Sequence, residues 1–244
     1  MHRSIAPAAF AAAAALTLAG CGGSAPAGNP SAPAETASSA AAPTPTAAKT
    51  YSNADLTSIV ASLKDAQGQA LTVVPAAQIN QGMVAARELL ETAVITPKAC
   101  GVLADNNSQV PLGSTYAAGA SLAAKAKTAT VVTVFAVKDP AVMSTQFSKS
   151  AGAAGDCSTF TIELQGQKIT TQTKPLDAAV QADKSVSVLT VQTLPTGQKQ
   201  ATATVTGVKG TLAATAVKIG AVETVTAASA AELATLVNTA LADG

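Results

Sequence analysis

The sequence predicts an α+β fold: a single antiparallel β-sheet with helices packed on one face, behind a signal peptide and a disordered tether. Three observations carry this expectation. Apolar residues recur at helical spacing at both ends of residues 51–244, with Leu56, Ile59, Val60 and Leu63 near one end and Leu233, Leu236, Val237 and Leu241 near the other. Between them, from Cys157 to Ile219, apolar and polar residues alternate with period two, as strands with one buried face require. Before residue 51 the composition shifts to Ala, Pro, Ser, Thr and Gly, which cannot bury enough apolar surface to form a core.

The first twenty residues have the anatomy of a secretory leader. His2 and Arg3 form a cationic start, Ile5 to Ala15 an apolar run, and small residues follow. That run is shorter than the roughly 20 residues that span a bilayer, so it reads as a signal and not an anchor. Leu18-Ala19-Gly20-Cys21 reads as a lipobox, which makes Cys21 the lipidation site and the start of the mature chain; the alternative is a plain secretion site at which a cysteine happens to fall. Each buried methylene of an acyl anchor contributes about 0.8 kcal/mol, and two or more chains hold a protein stably where one does not. Residues 21–50 then form a tether with a mean reach of roughly 30 Å. These features predict a protein attached to the outer face of the cell membrane through its lipid.

Within 51–244 no domain boundary or repeat is evident. Ser52 or Asn53 can cap the first helix, and Gly68 ends that segment. Leu71 to Val74 is a short β-branched run before Pro75. A second amphipathic helix is expected from Asn80 or Gln81 to Ala93, carrying Met83, Val84, Arg87 and Leu90. Gly113 to Thr115 leads into a strand through Tyr116, and Thr130 to Val137 is apolar and β-branched enough for the centre of a sheet. Asp139-Pro140 starts a helix with Val142, Met143 and Phe147 on its apolar face, and Gly152 and Gly155 should close it. Phe160 to Leu164, Ile169 to Thr173, Ser185 to Thr193, Ala201 to Val208 and Thr211 to Ile219 form a meander, with turns at Gln165-Gly166-Gln167, Pro195-Thr196-Gly197 and Gly207 to Gly210. The last helix spans Ser229 to Ala242.

Composition narrows the chemistry. Loss of Arg3 with the leader leaves 14 basic residues, of 15, against 14 acidic ones, so nothing points to nucleic acid as a partner. With no Trp, four Phe and two Tyr, the core must be built from Val, Leu, Ile and Ala, and aromatic platforms for sugars are not expected. Three cysteines leave Cys100 and Cys157 as a disulfide pair in an oxidising compartment if Cys21 carries lipid, the alternative being two buried thiols. Such a bridge would stabilise the fold by about 4 kcal/mol on the chain-entropy account.

The side chains that carry catalysis elsewhere do not form a catalytic pattern in this sequence. The single histidine, His2, leaves with the leader, which removes imidazole catalysis and His-based metal sites. Ser148-Lys149-Ser150 has no Ser-x-x-Lys spacing, and adjacent helical residues point apart. Asp105-Asn106-Asn107-Ser108 lacks the glycine and distal glutamate of a calcium loop and reads as a solvated turn. Glu88 and Glu91 read as helix surface, and Gly152 to Gly155 falls where a helix ends and not where a phosphate loop would begin one. No catalytic residue, metal site or cofactor is expected.

A lipobox and Pro/Ala tether, Ile95-Thr96-Pro97-Lys98-Ala99-Cys100 after a helix, Val131 to Val137 leading into the Ala141 to Phe147 helix, Asp156-Cys157-Ser158 before a meander, and Leu212-Ala213-Ala214-Thr215-Ala216-Val217 before a final helix together resemble one family. It is the extracellular sensor domain of mycobacterial PknH-like serine/threonine kinases, found also as stand-alone actinobacterial lipoproteins. The resemblance covers about 51–244. It implies a central antiparallel sheet with helices forming a cleft for an unidentified ligand, no catalytic residue, and cysteines placed as Cys100 and Cys157 are. This chain has one candidate bridge where the kinase domain has two.

Two functions of different classes follow as expectations. One is a non-enzymatic ligand-binding or sensing domain, holding a small molecule, lipid or cell-wall fragment between helices and sheet. The other is an interaction lipoprotein docking another envelope protein. Replacing Cys21 by alanine should release the protein from the membrane fraction into the medium; retention in the detergent phase on partitioning would contradict the lipobox.

Overall fold

The computed structural model describes residues 49–106, 110–111, 113–137 and 139–244. Cys21, the leader and the tether as far as residue 48 lie outside them. The described chain forms one nine-stranded antiparallel sheet with five helices, as the α+β expectation required.

The meander runs through β5 (Thr159–Leu164), β6 (Gln167–Pro175), β7 (Lys184–Thr193), β8 (Lys199–Lys209) and β9 (Leu212–Gly220), each strand paired with the next. Gln165 (φ 52°) and Gly166 (φ 76°) make the two-residue turn of its first hairpin. β9 then pairs with β4 (Thr128–Ala136), which forms a hairpin with β3 (Thr115–Ala123). Two three-residue strands close the edges, β1 (Thr72–Val74) beside β3 and β2 (Val94–Thr96) beside β5. The order is therefore β1-β3-β4-β9-β8-β7-β6-β5-β2. Putting β4 beside β9 makes it central, as its β-branched run Val131-Val132-Thr133-Val134 suggests.

The helices lie on both faces. α1 (Asn53–Ser62) and α5 (Ser229–Asp243) cover one face, where Val132, Val134, Ala203, Val205, Ala214 and Ala216 are fully buried with Leu56, Val60, Leu233 and Val237. The β6–β7 connection joins this layer, since Leu176, Ala178, Val180 and Ala182 pack against the same core. Asn238 of α5 pins it, donating to the Ala179 carbonyl (2.9 Å) and accepting from the Gln181 N–H (2.7 Å). α4 (Pro140–Asp156) lies on the opposite face, with Met143 and Phe147 buried against Phe135, Val208 and Ala213. Packing on a single face thus holds for α1 and α5 and not for α4; helical periodicity says that a helix has an apolar stripe, not which side of a sheet it meets.

Local chemistry sets the helix starts. Ser52 caps α1 in a reciprocal box: its hydroxyl accepts from the Asp55 N–H (3.2 Å), and the Asp55 carboxylate accepts from the Ser52 N–H (2.8 Å). That backbone hydrogen bond, then the Ser52 hydroxyl, holds the Asp55 carboxyl below its ordinary range. A carboxyl whose pKa is lower in the folded state adds stability above its unfolded pKa, and this is lost as pH falls through the folded one. Asp139 starts α4 by accepting from the Ala141 N–H (2.8 Å), with Pro140 at the first position.

Several boundaries differ from expectation. α2 (Ala76–Glu91) begins directly after Pro75, earlier than Asn80, because proline suits a helix start and nothing in Ala76-Ala77-Gln78 opposes one. A 3-10 turn at Lys98–Cys100 leads into α3 (Gly101–Asn106), so Asp105 and Asn106, expected to begin a polar loop, end a helix instead, while 107–109 lie outside the described residues. α4 runs through Gly152 and Gly155 to Asp156. Gly207 lies inside β8 and not in a turn.

Two glycines set how closely the first layer can pack. A Cβ on Gly119 of β3 would stand 2.6 Å from Cγ1 of Val60 in α1. One on Gly207 would meet Val180, Val237 and Leu241 at 2.8–3.1 Å. A matched pair of substitutions checks this. Gly119→Ala should destabilise the fold by about 1–3 kcal/mol through overpacking. Gly152→Ala, in open space on α4, should stabilise it by about 0.5–1 kcal/mol. Denaturant midpoints measure both.

Candidate binding site

Strand alternation divides the central strands into two unlike faces. On the side covered by α1 and α5 stand Ala and Val; on the other, register aligns side chains into rows across β4, β9, β8 and β7. Thr133 pairs with Thr215, Thr215 with Thr206, and Thr206 with Val186. The next row is Val131, Val217, Thr204 and Val188. Several of these central-strand residues, among them Val131, Thr133, Thr206, Thr215 and Val217, are only partly buried, although their neighbours Val132, Val134, Val205 and Ala216 are fully buried.

The difference arises because this face is covered unevenly. α4 seats Met143 and Phe147 over Phe135, Ala213 and Val208. The disulfide region covers the β5–β7 side, where Cys100, Leu103, Cys157, Phe160, Ile162 and Val188 form their own buried cluster. α2 extends Ile79 and Met83 over the remaining strands but contains no buried residue. Between these three covers and the rows of the sheet lies a cavity of about 340 Å³. Its floor is the Thr/Val grid together with Ile219, and its walls are Ile79 and Met83 of α2, Leu103 and Val110, and Met143, Gln146, Phe147 and Ser150 of α4.

The hydrogen-bonding groups of this cavity are neutral. Thr206 and Thr215 share a hydrogen bond between hydroxyls 3.1 Å apart, and the Ser150 hydroxyl donates to the Gln146 carbonyl at 2.9 Å. Among the described residues that line it, none is ionisable. One wall is better held than the other. α4 is capped at Asp139, carries buried side chains and runs into the bridged Cys157; α2 is tied to the sheet by the Tyr116 hydroxyl donating to the Asn80 side-chain oxygen.

The structure joins Cys100 and Cys157, with Cα atoms 5.6 Å apart and a sequence separation of 57. The bridge ties the 3-10 turn and α3 to the end of α4, so it holds a cavity wall. The other residues weighed from sequence do not converge. Ser148 donates to the Ser144 carbonyl at 2.9 Å, Lys149 is exposed beside it, and Ser150 alone reaches the cavity. Glu88 and Glu91 are exposed on α2. Among the described residues, no group of three or more His, Cys, Asp or Glu comes together as metal ligands would.

Sequence reasoning did not single out Thr133, Thr204, Thr206 and Thr215. The available signal was their alternation with small residues, as in Ala203-Thr204-Val205-Thr206 and Ala214-Thr215-Ala216, which marks two different faces. It does not reveal that β4 and β9, far apart in the chain, bring the rows together.

No family model matches this chain, and no curated protein sequence matches it. Among solved structures, the chain is similar to the extracellular domain of PknH from Mycobacterium tuberculosis, at 12% identity and a TM-score of 0.44 over 62% of this chain and 78% of that one.

Removing the bridge gives a direct check on the fixed wall. Reduction, or the Cys100→Ser/Cys157→Ser double variant, should lower unfolding stability by about 4 kcal/mol. The check is a pair of denaturant melts with and without reductant.

Proposed function

We propose that this chain is a lipid-anchored, extracytoplasmic, non-enzymatic binding domain that takes a small apolar molecule into the cavity between the sheet and helices α2 and α4. The observation that supports this most strongly is the cavity of about 340 Å³ against central strands whose opposite face is densely packed. Small-molecule sites typically occupy about 300–1,000 Å³ and combine apolar walls with a few convergent polar groups. Here Ile79, Met83, Met143 and Phe147 supply the walls and the threonine row the polar groups. The lipobox at Cys21 and the tether after it support the placement outside the membrane.

Docking of another envelope protein has weaker support. Among the described residues, the exposed large apolar side chains Val84, Leu89, Val94, Leu122 and Val142 belong to four different elements, α2, β2, β3 and α4.

Titration with the neutral fluorophore N-phenyl-1-naphthylamine tests this reading. Saturable binding is expected, and Val217→Phe, which places a ring in the cavity, should weaken it about tenfold or more, the ratio that 1.4 kcal/mol produces. Circular dichroism verifies that the variant is folded. Absence of saturable binding by the unaltered protein would contradict the proposal.

A further inference from the structure

We infer that the cavity selects its ligand by charge, taking an uncharged molecule with an apolar body and hydroxyl or ester oxygens and rejecting the same body ending in a carboxylate or phosphate. This rests on the binding role proposed above and names the ligand class for that site.

The first ground is the lining. Of its described residues, Val, Ile, Leu, Met and Phe make up the body, and Thr, Ser and Gln supply every polar side chain. An ionised head drawn into this space would lose its water and meet no opposite charge among the described residues that line it, which is the costliest way to bury a charge. Lys184 is the cation on the same face of β7, two residues before Val186. It lies beyond the cavity lining, exposed, and donates to Ser144 on α4.

The second ground is the arrangement of the hydroxyls. Neighbouring strands lie about 4.8 Å apart, so Thr133, Thr215 and Thr206, in register on β4, β9 and β8, form a row roughly 10 Å long. A threonine hydroxyl has one donor hydrogen and two acceptor sites. The hydrogen bond shared by Thr206 and Thr215 uses one donor and one acceptor site, leaving capacity for a ligand oxygen of either kind. Such a row suits a molecule whose oxygens are spaced along it, as in an acyl ester of a polyol.

The third ground is the walls. Met83 and Met143 are unbranched and adapt to ligands of different shape. Shape selection is therefore loose on the helix side, and charge and hydrogen bonding on the sheet side discriminate.

The test is displacement of N-phenyl-1-naphthylamine from the folded protein by three probes with the same chain: 1-monolauroylglycerol, laurate and dodecyl phosphate, each below its micelle concentration. At neutral pH the glyceride should bind about tenfold or more tighter than either anion. In the Thr206→Val/Thr215→Val double variant, the ratio of glyceride affinity to fluorophore affinity should fall about tenfold. Both partners of that hydrogen bond become apolar together, so neither is left unpaired and the fold is preserved. Laurate or dodecyl phosphate binding as tightly as the glyceride would overturn the inference, as would an unchanged ratio in the double variant. Fluorophore binding that none of the three probes displaces would overturn it and leave the cavity reading standing; failure of the fluorophore itself to bind would overturn both.

Discussion

The structure depends on a difference in side-chain size between the two faces of its central strands. Toward α1 and α5 the strands present Ala117, Gly119, Ala203, Gly207, Ala214 and Ala216, so the helices approach closely and Leu56, Val60, Leu233 and Val237 are fully buried. A chain without tryptophan and with four phenylalanines obtains little area from any one side chain; at about 25 cal/mol per Å² it needs many small burials in dense contact. The aliphatic side of the sheet provides them. The opposite side carries the rows of Val and Thr, several of which stay only partly buried beneath the helices there.

The consequences differ along that second face. At one end the Cys100–Cys157 bridge and the C-terminal part of α4 close over Phe160 and Ile162. Over the stretch of β4 and β9 beyond Phe135 and Ala213, at Val131, Val217 and Ile219, the cover is α2, which contains no buried residue. Local unfolding tends to begin where few apolar contacts hold an element, so α2 is the wall best suited to move aside for a ligand and α4 the wall best suited to stay. The cavity is thus a product of packing on one side of a sheet whose other side supplies most of the stability.

Much of the fold was legible because its signals are local. The β-branched run of β4, the Asp139-Pro140 start of α4, the period-two meander and the capping residues of α1 each act over a few neighbours, and each is present. Three features were not legible for physical reasons. β2 has only Val94, Ile95 and Thr96, too few to show a period, and exists because β5 offers an edge. Gly152 and Gly155 resemble helix ends, but packing against β6 and β7 carries α4 through them. Division of the helices between two faces, and with it the threonine row, depends on β9 pairing with β4, a contact between distant segments that no local pattern encodes. A site between helices and sheet was an expectation drawn from a resemblance; the strand register identifies the floor of the cavity.

A crystal structure of the protein under xenon pressure tests the two-faced sheet most directly, because the gas enters apolar cavities and avoids dense cores. Xenon is expected above Val131 and Val217, between the sheet and helices α2 and α4, and none between the sheet and helices α1 and α5. A structure in which α2 lies collapsed on β4 and β9 with no gas bound there would contradict it.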